Sequence, residues 1–241
     1  MINKDRILVV IPTYNEADNI VDIINATLNS FEKADVLVVD DKSPDGTAEI
    51  VKNNFSNNPR VNIIVREGKK GLGRAYVDGF KWGLEKGYGY LMEMDADFSH
   101  DPSEIPNFYK YLQEYDVVVG SRYIGGIRIL NWDLKRLIIS QLGSIYARVI
   151  TGLNLTDMTG GFNAYRREVL EKINLDKIDS NGYAFQIELK FRAYAKGFKI
   201  VEIPIVFRER EKGNSKMSKK IIIEAMLECI KLRIDKILNR I

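Results

Sequence analysis

Two carboxylates, Asp95 and Asp97, stand one residue apart after a short apolar run that begins at Tyr90. A run this short and apolar is typical of a strand buried on both faces of a parallel sheet. Such a strand delivers both carboxylates to its carboxyl end, where open α/β sheets have their ligand crevice. Carboxylates this close repel each other, so the pair predicts a divalent cation shared with substrate phosphates. The alternative is an acidic turn that caps the helix starting near Pro102.

Polar residues also follow two earlier predicted strands. Arg6–Ile11 runs into the segment Pro12–Glu16, and Val36–Val39 runs into Asp40 and Asp41. Because neighbouring parallel strands end at one edge of a sheet, we expect these groups to share a crevice with Asp95 and Asp97. Acidic strand ends suit hydroxyl and base N–H donors better than bare phosphate. The combination therefore predicts a nucleotide diphosphate that carries a sugar.

Strand and helix patterns alternate five times from residue 6 to residue 120. This alternation predicts an α/β fold whose mainly parallel central sheet is flanked by helices. No dinucleotide fingerprint follows the first strand and no P-loop motif occurs, which disfavours a dinucleotide-binding domain and a P-loop NTPase. The other predicted helices are Ile20–Phe31, Thr47–Asn53, Ser103–Gln113 and Phe185–Ala195. Asn15 or Asp18 is expected to cap the first of them, and Asp45 or Ser43 the second. The other predicted strands are Val61–Val65, Asp116–Gly120, Gly160–Tyr165 and Val201–Val206, and Pro204 excludes the last of these from a central position in the sheet.

Length and composition bound the class of protein. The chain has 241 residues and a net charge of +3, enough for a full core and too little charge to predict a nucleic-acid partner. The single Cys229 excludes a disulfide framework, fits a reducing cytoplasm and is interpreted as a packing residue. No apolar stretch approaches a membrane span or a signal-peptide core. We therefore expect a cytoplasmic protein that is soluble or peripheral on the cytoplasmic face of a membrane.

Two amphipathic segments follow Gly126. Residues 127–152 contain the helix Leu134–Ile150, whose apolar face either lines a groove for a lipid, lies among lipid headgroups, or faces the core. The second segment, residues 218–241, is a C-terminal amphipathic helix with a strict apolar seam and charges of both signs. That pattern favours docking to a protein or self-association over binding to anionic lipid. Residues 1–217 are predicted to form one catalytic domain.

Eight motifs occur in order along the chain: Pro12-Thr13-Tyr14-Asn15-Glu16; Asp40-Asp41 with Ser43-Pro44-Asp45-Gly46-Thr47; Gly71-Leu72-Gly73; Asp95-Ala96-Asp97; Gly120-Ser121-Arg122-Tyr123; Trp132 with Leu134-Lys135-Arg136; Thr159-Gly160-Gly161-Phe162; and Arg210 with Ser215-Lys216. Any one of them is weak, but the ordered set is highly specific. Together they resemble the GT-A nucleotide-sugar glycosyltransferases of the large inverting family, and within it the dolichol-phosphate (polyprenyl-phosphate) mannosyltransferases. The resemblance extends from Ile7 to about Met217.

The resemblance implies transfer of mannose from GDP-mannose to a dolichyl or polyprenyl phosphate with inversion, assisted by Mg²⁺ or Mn²⁺. It implies that Asp95, Asp97, Arg122 and Arg136 carry the catalysis. It also implies contacts to the nucleotide sugar from Pro12, Tyr14, Glu16, Val39, Asp41, Asp95, Ala96, Asp97, Arg210 and Lys216, to the metal from Asp97 and Ser99, and to the acceptor phosphate from Arg122, Arg136 and Ser140. Ser99 stands where some members have glutamine and is a weaker ligand. The one histidine, His100, either touches the metal or is an ordinary loop residue.

A polyprenyl phosphate is already an anion at pH 7, so as a nucleophile it needs no general base. Asp157 and Glu188 are therefore expected to be dispensable as proton acceptors. The reaction instead needs cations that bring two anionic substrates together, and the planar fork of arginine suits that role. The alternatives are a salt bridge at a strand end for Arg122 and a solvated helix face for Arg136.

Two other functions are weighed against this one. A polyprenyl-phosphate glucosyltransferase, or a transferase for another sugar nucleotide, would use the same scaffold. A non-catalytic subunit that binds nucleotide or membrane partners is disfavoured by the intact carboxylates and cations. Expected partners are the nucleotide sugar, the polyprenyl phosphate, a membrane surface, and either a small membrane-anchoring subunit or a second copy bound through the C-terminal helix.

Overall fold

The structure is a computed structural model that describes residues 3–68, 71–178, 180–209 and 219–241, with only the backbone of residues 219 and 220. Its strands are β1 (Ile7–Thr13), β2 (Ala34–Asp40), β3 (Val61–Val65), β4 (Tyr90–Glu93), β5 (Val117–Ser121), β6 (Ile129–Leu130), β7 (Asn163–Arg166), β8 (Ile200–Pro204) and β9 (Phe207–Arg208). The described residues form a seven-stranded sheet of order β3-β2-β1-β4-β7-β5-β8, and β6 pairs separately with β9. Every pairing in the large sheet is parallel except those of β7 with β4 and β5. This is the predicted α/β architecture with a mainly parallel sheet.

Helices cover both faces of the sheet. They are α1 (Ile20–Ser30), α2 (Thr47–Phe55), α3 (Leu72–Glu85), α4 (Ile105–Tyr111), α5 (Leu134–Thr151), α6 (Arg167–Lys172), α7 (Gly182–Ala195) and α8 (Lys219–Ile237). One core cluster joins the sheet to α1, α2 and α4, and the other joins it to α3, α6 and α7. Alternation along β1 produces this division, because successive side chains of a strand point to opposite faces. Val9 belongs to the first cluster, and Leu8 and Val10 belong to the second.

Helix α3 lies unusually close to the sheet because glycines face it. A Cβ atom at Gly79 would lie 2.4 Å from Val10 Cγ1, and one at Gly83 would lie 2.6 Å from Leu91 Cδ2. Neither distance is possible for a real side chain, so both positions require glycine for this packing. The close approach fixes the first turn of α3 beside the carboxyl ends of β1 and β2.

The helix starts differ in part from those predicted. Neither Asn15 nor Asp18 caps α1, which begins after a backbone turn in which the Glu16 carbonyl accepts from Ile20 N at 2.9 Å. Asp45 does hold the start of α2, where its Oδ1 accepts from Thr47 N at 3.0 Å. A main-chain turn takes the place of a side-chain cap at the start of α1. The preference of Asn and Asp for capping positions does not distinguish these two arrangements.

The second half of the sheet departs from a simple alternation. The strand predicted at Gly160–Tyr165 begins later, at Asn163, and enters antiparallel between β4 and β5. Strand β8 lies at the sheet edge with Pro204 as its last residue, which agrees with the exclusion of that segment from a central position.

The apolar face predicted for α5 points away from the core. Leu134, Leu142 and Val149 are exposed by 69%, 58% and 71%, whereas the buried residues of α5 are Ser144, Ala147 and Thr151. The core-facing interpretation of this helix is therefore wrong, because its small side chains allow the close packing. Helix α8 packs on α5 and α7 through Cys229 and Leu232, and exposes another apolar row that includes Ile223, Leu227, Ile230, Ile234 and Ile237. Of the described helices, none is long and apolar enough to span a bilayer.

Candidate active site

A cavity of about 330 Å³ opens at the carboxyl ends of β1, β2 and β4. It brings together the three polar strand ends that the sequence predicts to converge. The predicted residues on its wall are Pro12, Tyr14, Glu16, Asp41, Asp95, Ala96, Asp97, Arg122 and Arg136. The lining also includes Trp132, Thr159, Gly160, Gly161, Phe162, Tyr183 and Gln186. The two sets share one concave surface of the size that small ligands occupy.

At the end of β2, the Asp41 carboxylate is held by the Arg66 guanidinium. Arg66 Nε donates to Asp41 Oδ1 at 2.5 Å, and the same guanidinium reaches Asp78 at 3.2 Å. Asp40 has a structural role, because its carboxylate accepts from the Thr13 hydroxyl at 2.8 Å and from Ser43 N at 2.9 Å. The side chain of Val39 is wholly buried in the core and does not line the cavity. Any contact from Val39 to a nucleotide is thus restricted to its backbone.

At the end of β4 the two carboxylates are oriented by α3 and by the turn that follows the strand. Tyr76 OH donates to Asp95 Oδ1 at 3.4 Å, and Ser99 N donates to Asp97 Oδ1 at 3.1 Å. His100 is buried, its ring stacks on Phe162 at 4.7 Å, and its Nδ1 accepts from Asp95 N at 3.1 Å. Burial lowers the pKa of His100, in keeping with an unprotonated Nδ1. His100 is therefore a loop residue, one of the two alternatives expected, and it is buried and supports the turn.

The donor atoms on this wall suit a hard divalent cation. Asp95 and Asp97 offer carboxylate oxygens to the cavity, and the described residues contain no group of three or more acidic, histidine or cysteine side chains able to cage a metal. Mg²⁺ and Mn²⁺ are commonly bound by one or two carboxylates together with substrate phosphates. The residues present therefore fit a cation shared with a diphosphate. Ser99 is buried outside the cavity lining, and among the described residues its hydroxyl has no partner.

Arg122 forms a buried ion pair on the opposite wall. Its Nε and Nη2 donate to the two Asp157 oxygens at 2.6 and 2.7 Å, and Nη2 also donates to Thr159 Oγ1 at 2.9 Å. Burial of Asp157 opposes its ionisation, but the charge and hydrogen bonds of Arg122 outweigh that effect and lower the pKa of Asp157 to about 2. The salt bridge that the sequence left as an alternative is thus present, and Arg122 also lines the cavity.

Arg136 reaches the same wall from α5. Its guanidinium carbon lies 4.2 Å from the centroid of the Trp132 ring, and its Nη1 pairs with Glu209. Its Nε is buried and has no partner among the described residues. A solvated helix face is therefore the wrong interpretation of Arg136. Ser140, one turn further on, hydrogen bonds through its Oγ to Tyr123 OH at 2.8 Å and does not line the cavity.

A second, apolar groove of about 290 Å³ adjoins the cavity between α5, α7 and α8. The two spaces share Trp132, Thr159 and Tyr183, and Ser140 lies on the groove side. The remaining groove residues are Ile139, Leu142, Gly143, Tyr146, Ile187, Ile222, Ala225, Met226 and Cys229. A charged wall and an apolar groove are thus continuous. Arg210 and Lys216, predicted to contact the nucleotide sugar, lie outside the described residues.

The sequence did not predict the residues that support these walls. Lys190 is wholly buried and donates to the carbonyls of Asp157, Met158 and Gly160 at 3.3, 3.2 and 2.8 Å. Glu202 Oε1 accepts from Asp157 N at 2.8 Å. Together they fix the loop that carries the partner of Arg122. Spacing gives no signal for them, since each contact spans 30 residues or more. The unusual cue is a lysine within the apolar run of α7.

Comparison with known proteins agrees with this geometry. Residues 8–174 match the family described as "Glycosyl transferase family 2". An undecaprenyl-phosphate mannosyltransferase from Micrococcus luteus is 46% identical over 92% of this chain and 91% of its own length. A polyprenol monophosphomannose synthase from Mycolicibacterium smegmatis is 47% identical over 92% of this chain and 85% of its own.

Solved structures share the fold at low sequence identity. Glucosyl-3-phosphoglycerate synthase from Mycobacterium tuberculosis, in complex with UDP, superposes with a TM-score of 0.68 at 18% identity, covering 93% of this chain and 80% of that one. A mannosyltransferase from Pyrobaculum calidifontis, in complex with GDP-Man and Mn²⁺, gives 0.59 at 17%, covering 97% and 74%. The fold is that of the GT-A enzymes, and the chain is a glycosyltransferase that belongs to glycosyl transferase family 2.

Proposed function

We propose that this chain transfers mannose from GDP-mannose to a polyprenyl phosphate, with inversion at the sugar carbon. The observation that carries the proposal is the continuity of two spaces. One is a cavity with four carboxylates and two arginines, and the other is an apolar groove that begins at Trp132. The acceptor has a charged head and an apolar tail, which matches that pairing. The names of the relatives at 46% and 47% identity support transfer of mannose to a polyprenyl phosphate.

In this proposal the donor lies along the carboxyl ends of β1, β2 and β4. Pro12, Tyr14, Glu16 and Asp41 hold the guanosine end, and Asp95 and Asp97 face the ribose and diphosphate. Asp97 would hold Mg²⁺ or Mn²⁺, which would supply positive charge to offset that of the departing diphosphate. Arg66 keeps the Asp41 carboxylate in place, because it binds that carboxylate from the side of α3.

The acceptor phosphate lies against Arg122 and Arg136 in this proposal, with its chain in the apolar groove. One phosphate oxygen forms a bond to the sugar carbon while the bond from that carbon to the diphosphate oxygen breaks, and the electron pair leaves with GDP. The nucleophile is already ionised, so no protein base takes a proton. Asp157 is bound by Arg122, and Glu188 is bound by the Ser180 hydroxyl and Arg192 away from the cavity lining.

The proposal is tested by a donor comparison with purified protein, Mg²⁺ or Mn²⁺ and a polyprenyl phosphate. Transfer is expected from GDP-mannose and not from UDP-glucose, and NMR of the product is expected to show a β-linked sugar phosphate. The rate should stay level above about pH 7, because the second ionisation of a phosphate monoester lies near 6. An α-linked product would overturn the single displacement, and a preference for UDP-glucose would assign a different sugar donor.

The exposed apolar face formed by α5 and α8 is proposed to lie on the cytoplasmic surface of a membrane. The face flanks the groove that is assigned to the lipid chain, so a protein seated there receives its acceptor directly from the bilayer. Burying one large apolar side chain contributes about 1.5–3 kcal/mol. A small membrane-anchoring subunit or a second copy would cover the same face without needing lipid.

Vesicle binding tests this assignment. Val149→Glu is expected to lower the affinity for vesicles that contain anionic lipid by about tenfold or more. The reason is that it puts a negative charge on the face that is proposed to enter the membrane surface. The matched control is Tyr111→Glu, which adds the same charge at an exposed apolar position on α4. Equal vesicle affinity for both variants, together with a dimer that only Val149→Glu dissociates, would assign the face to self-association.

A further inference from the structure

Gln186 presents an unpartnered donor to the floor of the cavity. It lies in the second turn of α7, is only 3% exposed and lines the cavity beside Gly160 and Gly161. Its Nε2 has no partner within hydrogen-bond distance among the described residues. The amide interacts with the buried Glu93 carboxylate at longer range, and its second N–H hydrogen is left for a group in the cavity. A buried amide donor left without a partner is destabilising, because it has lost its hydrogen bond to water. An unpartnered donor at a cavity wall therefore indicates a ligand group that accepts its hydrogen bond.

Neighbouring hydrogen bonds determine which end of the amide faces the cavity. Asn163 Nδ2 lies 2.9 Å from Gln186 Oε1, 2.8 Å from Glu93 Oε2 and 3.0 Å from the Gly160 carbonyl. Since Asn163 donates to Oε1, the Nε2 end of Gln186 turns towards Gly161. A Cβ atom at 161 would lie 3.3 Å from Nε2, so glycine at that position keeps the approach open.

The floor around Gly161 lies beneath the reacting groups of the proposed function. A Cβ atom at 161 would lie 3.9 Å from His100 Cε1, and His100 binds the backbone of Asp95. On the other side, Thr159 binds Arg122. The floor therefore separates the residues assigned to the diphosphate from those assigned to the acceptor phosphate. A hexose transferred between the two groups has to pass over it.

We infer that Gln186 Nε2 donates a hydrogen bond to one hydroxyl of the donor sugar and thereby contributes to sugar selection. The inference rests on the proposed function and adds a residue for which the sequence motifs give no role. A site built around a buried donor discriminates strongly against a ligand without the matching hydroxyl, because the donor is then left unpaired. The competing occupant is an ordered water that joins Nε2 to the unpartnered Glu93 Oε1 and Asn163 Oδ1.

A cycle of donors and variants tests the inference. Wild type, Gln186→Leu and Gly161→Ala are each assayed with GDP-mannose and with its 2-, 3-, 4- and 6-deoxy analogues. One deoxy analogue is expected to lose about ten- to a hundredfold in kcat/KM with wild type, as befits an unpaired buried donor. The same analogue should lose little further with Gln186→Leu, where the donor is already gone. Gly161→Ala crowds Nε2 without deleting the amide, and should reduce the same discrimination.

The readouts separate the possible failures. Affinity for GDP alone should be unchanged in both variants, because the inferred contact is to the sugar. If every deoxy analogue has the same penalty in wild type and in both variants, only water occupies the site and the inference is overturned. If wild type transfers no sugar from GDP-mannose but does transfer another, the proposed donor is wrong. The same cycle run with deoxy analogues of that other donor then decides the Gln186 contact.

Discussion

Asp97→Asn is expected to reduce sugar transfer by about two to three orders of magnitude while the protein stays folded. The substitution replaces a carboxylate by an amide of the same shape, so it removes a ligand charge from the cavity wall. Asp97 is only half-buried, and within the turn its Oδ1 accepts from Ser99 N at 3.1 Å. An amide oxygen preserves that hydrogen bond, so the free energy of unfolding should change little.

The measurement is the transfer rate at saturating donor, with urea unfolding as the check on folding. Asp101→Asn is the matched control: it makes the same chemical change four residues later, at an exposed carboxylate that accepts from Ser103 N at 2.9 Å. That variant should stay within a few-fold of wild type. Wild type should lose its activity in EDTA and regain it when Mg²⁺ or Mn²⁺ is added in excess. Full activity in EDTA would contradict the assignment of a metal to Asp97.

The crevice could be predicted because its signals are local. The apolar runs before Pro12, Asp40 and Asp95 identify buried parallel strands, and parallel strands end at one edge. The mainly parallel sheet and its flanking helices follow from the alternation of strand and helix in the first 120 residues. Local pattern stops being sufficient where β7 enters antiparallel, because a four-residue strand that begins at Asn163 has no periodicity of its own.

The surroundings of the cations could not be predicted from pattern. Arg122 and Asp157 are 35 residues apart, and Lys190 and Glu202, which are more distant still, hold the loop that carries Asp157. The face of α5 shows a related limit. Amphipathic spacing identifies an apolar row on a helix, but it does not show whether that row packs against the protein core or lies on the protein surface. Both arrangements give the same helical repeat of apolar residues. The small residues Ser144 and Ala147 decide it by allowing close packing on their own side.

The two arginines should behave differently when each is replaced by alanine. Arg122→Ala leaves the fully buried Asp157 without its counter-charge, which is expected to cost about 3–5 kcal/mol in the free energy of unfolding at pH 7. Arg136→Ala leaves only Glu209, whose side chain is 33% exposed, so the cost should be below about 1 kcal/mol. Arg136→Ala should instead raise the KM for polyprenyl phosphate far more than it weakens GDP-mannose binding, measured by calorimetry. Equal losses of donor affinity in both variants would assign the arginines to the diphosphate.

The pH dependence identifies the cause of the Arg122→Ala loss. In wild type the pKa of Asp157 is lowered to about 2, so the ion pair stabilises the fold above the unfolded pKa of 3.8 and the contribution disappears as pH falls through 2. Without Arg122, burial raises the pKa of this carboxyl, which can then bind a proton in the folded state. The stability difference between wild type and Arg122→Ala should therefore be smaller at pH 4.5 than at pH 7.

Adding Asp157→Asn to Arg122→Ala removes the buried charge and should recover part of the loss at pH 7. A loss that is independent of pH, and that the second substitution does not relieve, would mean that packing of the Arg122 side chain rather than charge stabilises this wall.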